Sequence, residues 1–142
     1  MKVLLGADKA GLALKNVIKQ HILSLGYEVV DQTGEEPTDL VDSTLAVTSA
    51  LKAGTGELGI LFDGYGAGSF MAANKVKGMI AAEVSDERSA RMTRDHNNTQ
   101  IITIGSEIVG EALAKACTEA FLVSKYSGGR HQVRVDMLNR ML

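Results

Sequence analysis

Two arginines four residues apart follow a double glycine in the stretch Gly128-Gly129-Arg130-His131-Gln132-Val133-Arg134. The glycine break and the spaced apolar residues Val133, Met137 and Met141 predict a final helix over Arg130–Leu142. Arg130 and Arg134 then share one face of its opening turn, where the helix dipole disfavours cations. A bound anion resolves that conflict, because it meets a helix N-terminus and two guanidinium forks at once. A phosphate clamp is the chemical expectation; a solvated basic face is the plain structural alternative.

A second chemical candidate is His96, followed by Asn97 and Asn98 in a polar stretch. An imidazole with its ordinary pKa near 6.5 can both give and take a proton at neutral pH. A third is Asp63-Gly64-Tyr65-Gly66-Ala67-Gly68, with glycine at every other position and a helix start behind it. Bare backbone amides there could hold a phosphate or an enolate oxygen. The spacing fits neither a dinucleotide fingerprint nor a Walker loop, and the glycines could equally serve only a tight turn. Cys117 lies mid-helix between Ala116 and Thr118 and reads as a buried structural thiol.

The elements that must position these residues follow from periodicity. Apolar runs predict strands at Lys2–Leu5, Tyr27–Val30, Leu58–Phe62, Met79–Glu83 and Gln100–Ile104. Between them, helical spacing predicts segments from Gly11 to Gly26, around Leu45 and Leu51, from Ser69 to Lys75, Asp86–Arg94 and Glu107–Val123. Thr33–Asp39 is a polar loop holding the sole proline, Pro37. Strands alternating with helices imply right-handed crossovers and a parallel sheet covered on both faces. Ligands of such sheets bind beyond the carboxyl ends of the strands, where Gly6-Ala7-Asp8-Lys9-Ala10-Gly11 and the Asp63 loop fall. His96 instead precedes its strand and belongs to the amino edge. If both edges serve one substrate, a neighbouring subunit must supply half of the site.

Composition narrows the partners. A chain of 142 residues reads as one domain, residues 1–142. Its 15 basic residues are outnumbered by 17 acidic ones, which argues against nucleic acid. No apolar run approaches the ~18 residues of a membrane span. One cysteine permits neither an internal disulfide nor a four-cysteine zinc site. Met1–Gly6 leads straight into charged Asp8 and Lys9 rather than a signal peptide, so the cytoplasm is expected.

Several stretches then match a known set: Ala73-Asn74-Lys75, Ser85 to Ser89, Thr93-Arg94-Asp95-His96-Asn97-Asn98, Ile104-Gly105-Ser106 and Gly128 to Arg134. Together they give a chain that resembles, end to end, the family of type B ribose-5-phosphate isomerases and the galactose-6-phosphate isomerase subunits. The resemblance implies a flavodoxin-like (Rossmann-like) three-layer α/β fold with a five-stranded parallel sheet. It also implies active sites at subunit interfaces, with the C-terminal helix of about residues 130–142 engaged there. The implied reaction is aldose–ketose isomerisation of a sugar phosphate, without metal or organic cofactor. By the same resemblance His96 is catalytic, while Asn97, Arg130 and Arg134 bind substrate.

The departures are as informative. The family's cysteine-glycine-threonine-glycine stretch after strand three reads Asp63, Gly64, Tyr65 and Gly66, and its aspartate-histidine pair reads Asp8-Lys9. The strand-end half has therefore lost its thiol, its threonine and one histidine. A homologous cysteine-bearing subunit in a hetero-oligomer is the implied partner. The expected reaction interconverts galactose 6-phosphate and tagatose 6-phosphate through a cis-enediolate. Two alternatives stay open: a self-sufficient pentose- or hexose-phosphate isomerase with Asp63 as base, and a non-catalytic scaffold that binds sugar phosphate.

Overall fold

The computed structural model describes residues 1–36 and 38–142; Pro37, and with it part of the expected Thr33–Asp39 loop, lies outside the described residues. The chain runs β1 (Lys2–Ala7), α1 (Leu12–Ser24), β2 (Glu28–Asp31), α2 (Leu40–Lys52), β3 (Leu58–Asp63), α3 (Ala67–Asn74), β4 (Ala81–Glu83) and α4 (Glu87–Asn97). It continues through β5 (Ile101–Gly105), α5 (Glu111–Val123), a 3-10 turn (Gly129–His131) and α6 (Gln132–Arg140).

All five strands are parallel, in the order β2-β1-β3-β5-β4. The expected three-layer α/β class is observed. Strands β4 and β5 are exchanged relative to the 2-1-3-4-5 order of flavodoxin itself. β3 and β5 are buried along their whole length, and β1 from Val3 onward, which is why they read as unbroken apolar runs. One core layer packs Leu14, Ile18 and Ile22 of α1, Ala90 of α4 and Phe121 of α5 against Leu5, Phe62 and Ile104. The other packs Val47 of α2 and Ala73 of α3 against Leu4, Leu61 and Ile101.

Element boundaries depart from the sequence reading at three informative places. Helix α4 extends to Asn97, past the expected end at Arg94, because Asn98 adopts the left-handed conformation (φ 54°) and stops it. Helix α5 begins at Glu111 rather than Glu107. Gly110 is extended (φ −79°, ψ 174°) and caps the helix, while the Ser106–Val109 turn before it is tied to β3, its Ser106 and Glu107 amides donating to the carbonyls of Asp63 and Gly64 at 2.8 Å each. The final helix also begins late, at Gln132, so that Arg130 sits in the 3-10 turn and only Arg134 is in α6.

Helix α1 carries a wholly buried cation. Lys15 donates to Asp31 Oδ1 at 2.9 Å and also to the Gly34 carbonyl. Burial alone would push the Asp31 carboxyl up; hydrogen bonds from Lys15 and Gly34 and the Lys15 charge outweigh it and hold its pKa below the ordinary value. Breaking a buried pair costs about 3–5 kcal/mol, and Lys19 at 3.4 Å from Asp31 remains to soften the loss. Lys15→Ala should therefore destabilise the chain by about 3 kcal/mol in urea unfolding at neutral pH. Because the folded pKa of Asp31 is depressed, its contribution is complete above the unfolded value of about 3.9 and is lost as pH falls through the folded one. Asp31→Asn should flatten the stability loss below about pH 4; an unchanged acid limb would remove Asp31 as its source.

Candidate active site

Each helix returns antiparallel to the strands, so the end of α4 and the end of α5 both emerge at the amino edge of the sheet. This places His96 and Asn97, in the last turn of α4, beside the segment that follows α5. The expectation of a helix ending at Arg94, with His96 in the polar stretch beyond it, is corrected: His96 is helical, held by the way α4 terminates. Arg94 Nη1 donates to Asn98 Oδ1 at 2.7 Å and to the Thr99 carbonyl at 3.2 Å. Thr93 and Thr99 share a hydroxyl hydrogen bond of 2.6 Å, with Thr99 buried. The chain thus turns from α4 into β5 through a polar knot that fixes the direction of His96 and Asn97.

Across from it, the rings of His96 and His131 stack with centroids 4.2 Å apart and planes 14° from parallel. Partial desolvation, followed by the neighbouring His96 and Arg130 charges, lowers the pKa of His131 against an opposing effect of Asp95. Arg130 and Arg134 are both exposed, and among the described residues neither is paired with a carboxylate. The 3-10 turn and the first turn of α6 thus hold two uncompensated guanidinium groups next to an imidazole pair. Such a surface can take a phosphate and move a proton a few ångströms away from it. His131 was visible in the sequence only as a neighbour of Arg130; its partnership with His96 is a tertiary fact.

The glycine-rich turn after β3 sits at the opposite, carboxyl edge. Its Gly66 has φ +77°, and a Cβ there would meet the Gly105 amide at 3.1 Å. The turn is braced from β5, where Thr103 Oγ1 donates to the Gly66 carbonyl at 2.7 Å. Asp63 is only 3% exposed, and its Oδ2 accepts from the Ser69 amide at 3.2 Å, inside the first turn of α3. Burial raises the Asp63 pKa, and the Asp8 charge adds to this, against hydrogen bonds from Ser69 and Gly66. Tyr65, by contrast, projects outward at 67% exposure. The carboxylate is thus turned into the protein, and a phenol ring stands at the mouth of the turn. The structure does not bring this turn and His96 together within one chain.

Cys117 is buried in α5, and burial, with the charges of Asp86, Glu87 and Glu83, pushes its pKa up to about 11. It is a neutral thiol far from thiolate chemistry at neutral pH. Among the described residues no group of His, Cys, Asp and Glu side chains is arranged to hold a metal ion. No helix among them is long and apolar enough to cross a membrane.

Known proteins share this sequence and fold. The model of the ribose/galactose isomerase family matches residues 3–138. Galactose-6-phosphate isomerase subunit LacA of Staphylococcus aureus is 57% identical over 141 residues, covering 99% of both chains. Ribose 5-phosphate isomerase RpiB of Thermotoga maritima superposes with a TM-score of 0.94 at 32% identity, over 99% of this chain and 98% of that one. The Mycoplasma genitalium enzyme, solved with bound ribulose 5-phosphate, gives 0.92 at 34% identity over 98% and 94%.

Proposed function

Because the chain belongs to the ribose/galactose isomerase family, we propose that it is the histidine- and arginine-bearing subunit of a hetero-oligomeric aldose–ketose isomerase. Its substrates are galactose 6-phosphate and tagatose 6-phosphate, and a homologous subunit bearing a cysteine supplies the base. One observation supports the split above all. His96 and the arginine turn share the amino edge, while at the opposite edge of the same chain the turn after β3 carries a buried carboxylate, Asp63, and an outward Tyr65. The 57% identical relatives are themselves named as subunits. We place the enzyme in the cytoplasm.

In this reading His96 opens the sugar ring. It takes the proton of the anomeric hydroxyl and returns one to the ring oxygen, a shuttle suited to an imidazole. The exposed C1 aldehyde acidifies the C2 proton. The partner's thiolate removes that proton and delivers it to C1, while the hydroxyl proton passes from O2 to O1, giving the ketose. Backbone amides of the partner's glycine turn hold the enediolate oxygen, a contribution of about 2.7–4 kcal/mol per donor in other enzymes. Asn97, adjoining His96, binds the sugar hydroxyls. Arg130 and Arg134 grip the 6-phosphate, so remote binding energy orients the reacting carbons. The exposed apolar side of α6, with Val133 and Met137, and Met141 just beyond it, engages the neighbouring subunit.

Asp63 as base is the weaker reading, since a carboxylate 3% exposed and bonded to its own helix does not face a substrate carbon. A scaffold role leaves the two unpaired arginines beside a histidine pair without a purpose.

The phosphate clamp is testable directly. In the assembled enzyme, Arg130→Ala and Arg134→Ala should each weaken substrate binding about 10- to 150-fold, the size of a charge-assisted hydrogen bond of about 1.5–3 kcal/mol. Folding should be little affected, because both side chains are exposed. Inorganic phosphate should raise the melting temperature of wild type more than that of either variant; equal protection of all three would rule the clamp out.

A further inference from the structure

We propose that Asp95 is a positioning residue that locks the phosphate-binding turn to the ring-opening histidine, an inference that rests on the role given to His96 above. After Val123 the chain leaves α5 and runs without regular structure to Gly128. Gly128 and Gly129 then take φ of 65° and 57°, conformations that glycine enters freely and that permit a hinge. The segment that carries Arg130 and His131 therefore needs an anchor just before the hinge. Ser127 provides it, and among the described residues each hydrogen bond it makes goes to Asp95. The Ser127 amide donates to the Asp95 carbonyl at 3.0 Å, and its hydroxyl donates both to that carbonyl at 3.3 Å and to the carboxylate Oδ1. The other carboxylate oxygen, Oδ2, lies 3.8 Å from His96 Nε2. One residue thus touches the strap with one oxygen and approaches the imidazole with the other.

A second observation points the same way. Asp95 is in the last turn of α4, where the helix dipole disfavours an anion, so the carboxylate is placed against the local electrostatic preference. Departures of this kind gather at functional sites. The function here is geometric. The distance between the phosphate and the anomeric centre is fixed by the sugar, so Arg130 and His96 must hold a fixed separation. Misplacement by about 1 Å can cost about 10²-fold in rate.

The test is a mutant cycle on the assembled enzyme, reading kcat, KM, melting temperature and inorganic phosphate affinity. Asp95→Ala should lower kcat/KM by about 10- to 100-fold, with melting temperature and phosphate affinity nearly unchanged, since Arg130 and Arg134 stay together on their own turn. Asp95→Asn, which keeps an acceptor for Ser127, should recover most of the loss. In a His96→Asn background, Asp95→Ala should cost nothing further. Ser127→Ala removes only the hydroxyl and reads the same lock should Asp95→Ala fail to fold; a several-fold loss confined to the His96 background is expected. An equal loss in both backgrounds would make Asp95 merely structural and overturn the proposal. A crippled His96→Asn beside fully active Asp95→Ala and Ser127→Ala overturns it alone. Full activity of His96→Asn would instead remove the histidine's role, and this inference with it.

Discussion

Purified without a partner, this chain should isomerise galactose 6-phosphate at or near background. Adding a homologous subunit with a cysteine after its third strand should restore turnover. The expectation follows from what the chain's own strand-end turn offers. Removal of the general base alone is worth about 10²–10⁴-fold, and Asp63 is no substitute: its carboxylate is buried and holds the first turn of α3. Without the neighbour, the His96 edge also lacks any facing turn to complete the pocket. Steady-state assays of each subunit alone and of the mixture read the effect. Substantial turnover by the isolated chain, abolished by Asp63→Asn, would move the base to Asp63 and make the chain self-sufficient.

The second large effect concerns His96. In the assembled enzyme, His96→Asn should lower turnover of the cyclic sugar by about 10²–10⁴-fold, the usual contribution of a positioned acid–base group. The asparagine is close to isosteric with part of the ring but cannot relay a proton near neutral pH. Substrate already in the open form should be spared more if, as proposed, its proton transfer between C2 and C1 depends on the partner's base. An analogue that cannot cyclise through the same oxygen, followed by solvent-proton exchange at C1 or C2, separates the steps. Equal losses on cyclic and open substrates would mean that His96 places the sugar and opens nothing.

Much of this architecture was legible in the residues. The strands announced themselves as apolar runs because a parallel sheet covered on both faces buries every position of its inner strands, as Ile60, Leu61 and Phe62 show. The separation of His96 from Asp63 to opposite edges also followed from chain order alone, since one residue precedes a strand and the other ends one. What the pattern concealed was decided by tertiary contacts. Glu107, Ile108 and Val109 look helical and do close a turn on the Gly105 carbonyl, but the extended Gly110 separates that turn from α5. Helix α4 outruns its apparent end because its apolar spacing fades before Arg94, whereas its stop is Asn98, a residue that tolerates the left-handed conformation and is secured there by Arg94. The exchange of β4 and β5 has no sequence signature, as crossover length does not say on which side a strand enters. His131 and Ser127 were visible only as neighbours of Arg130. Their contacts with His96 and Asp95 join segments distant in sequence, and no periodicity reports them.

The central claim is that one catalytic pocket is built from two chains, with His96 and the arginines on this one. A structure of the assembled hetero-oligomer with a bound sugar phosphate measures it most directly. The phosphate is expected on Arg130 and Arg134, the sugar between His96 of this chain and the cysteine of its neighbour, and His96 closer to the neighbour's strand-three turn than to Gly64–Gly68 of its own chain. A sugar phosphate lodged against Asp63 of the same chain, with His96 facing only solvent or its own core, would contradict it.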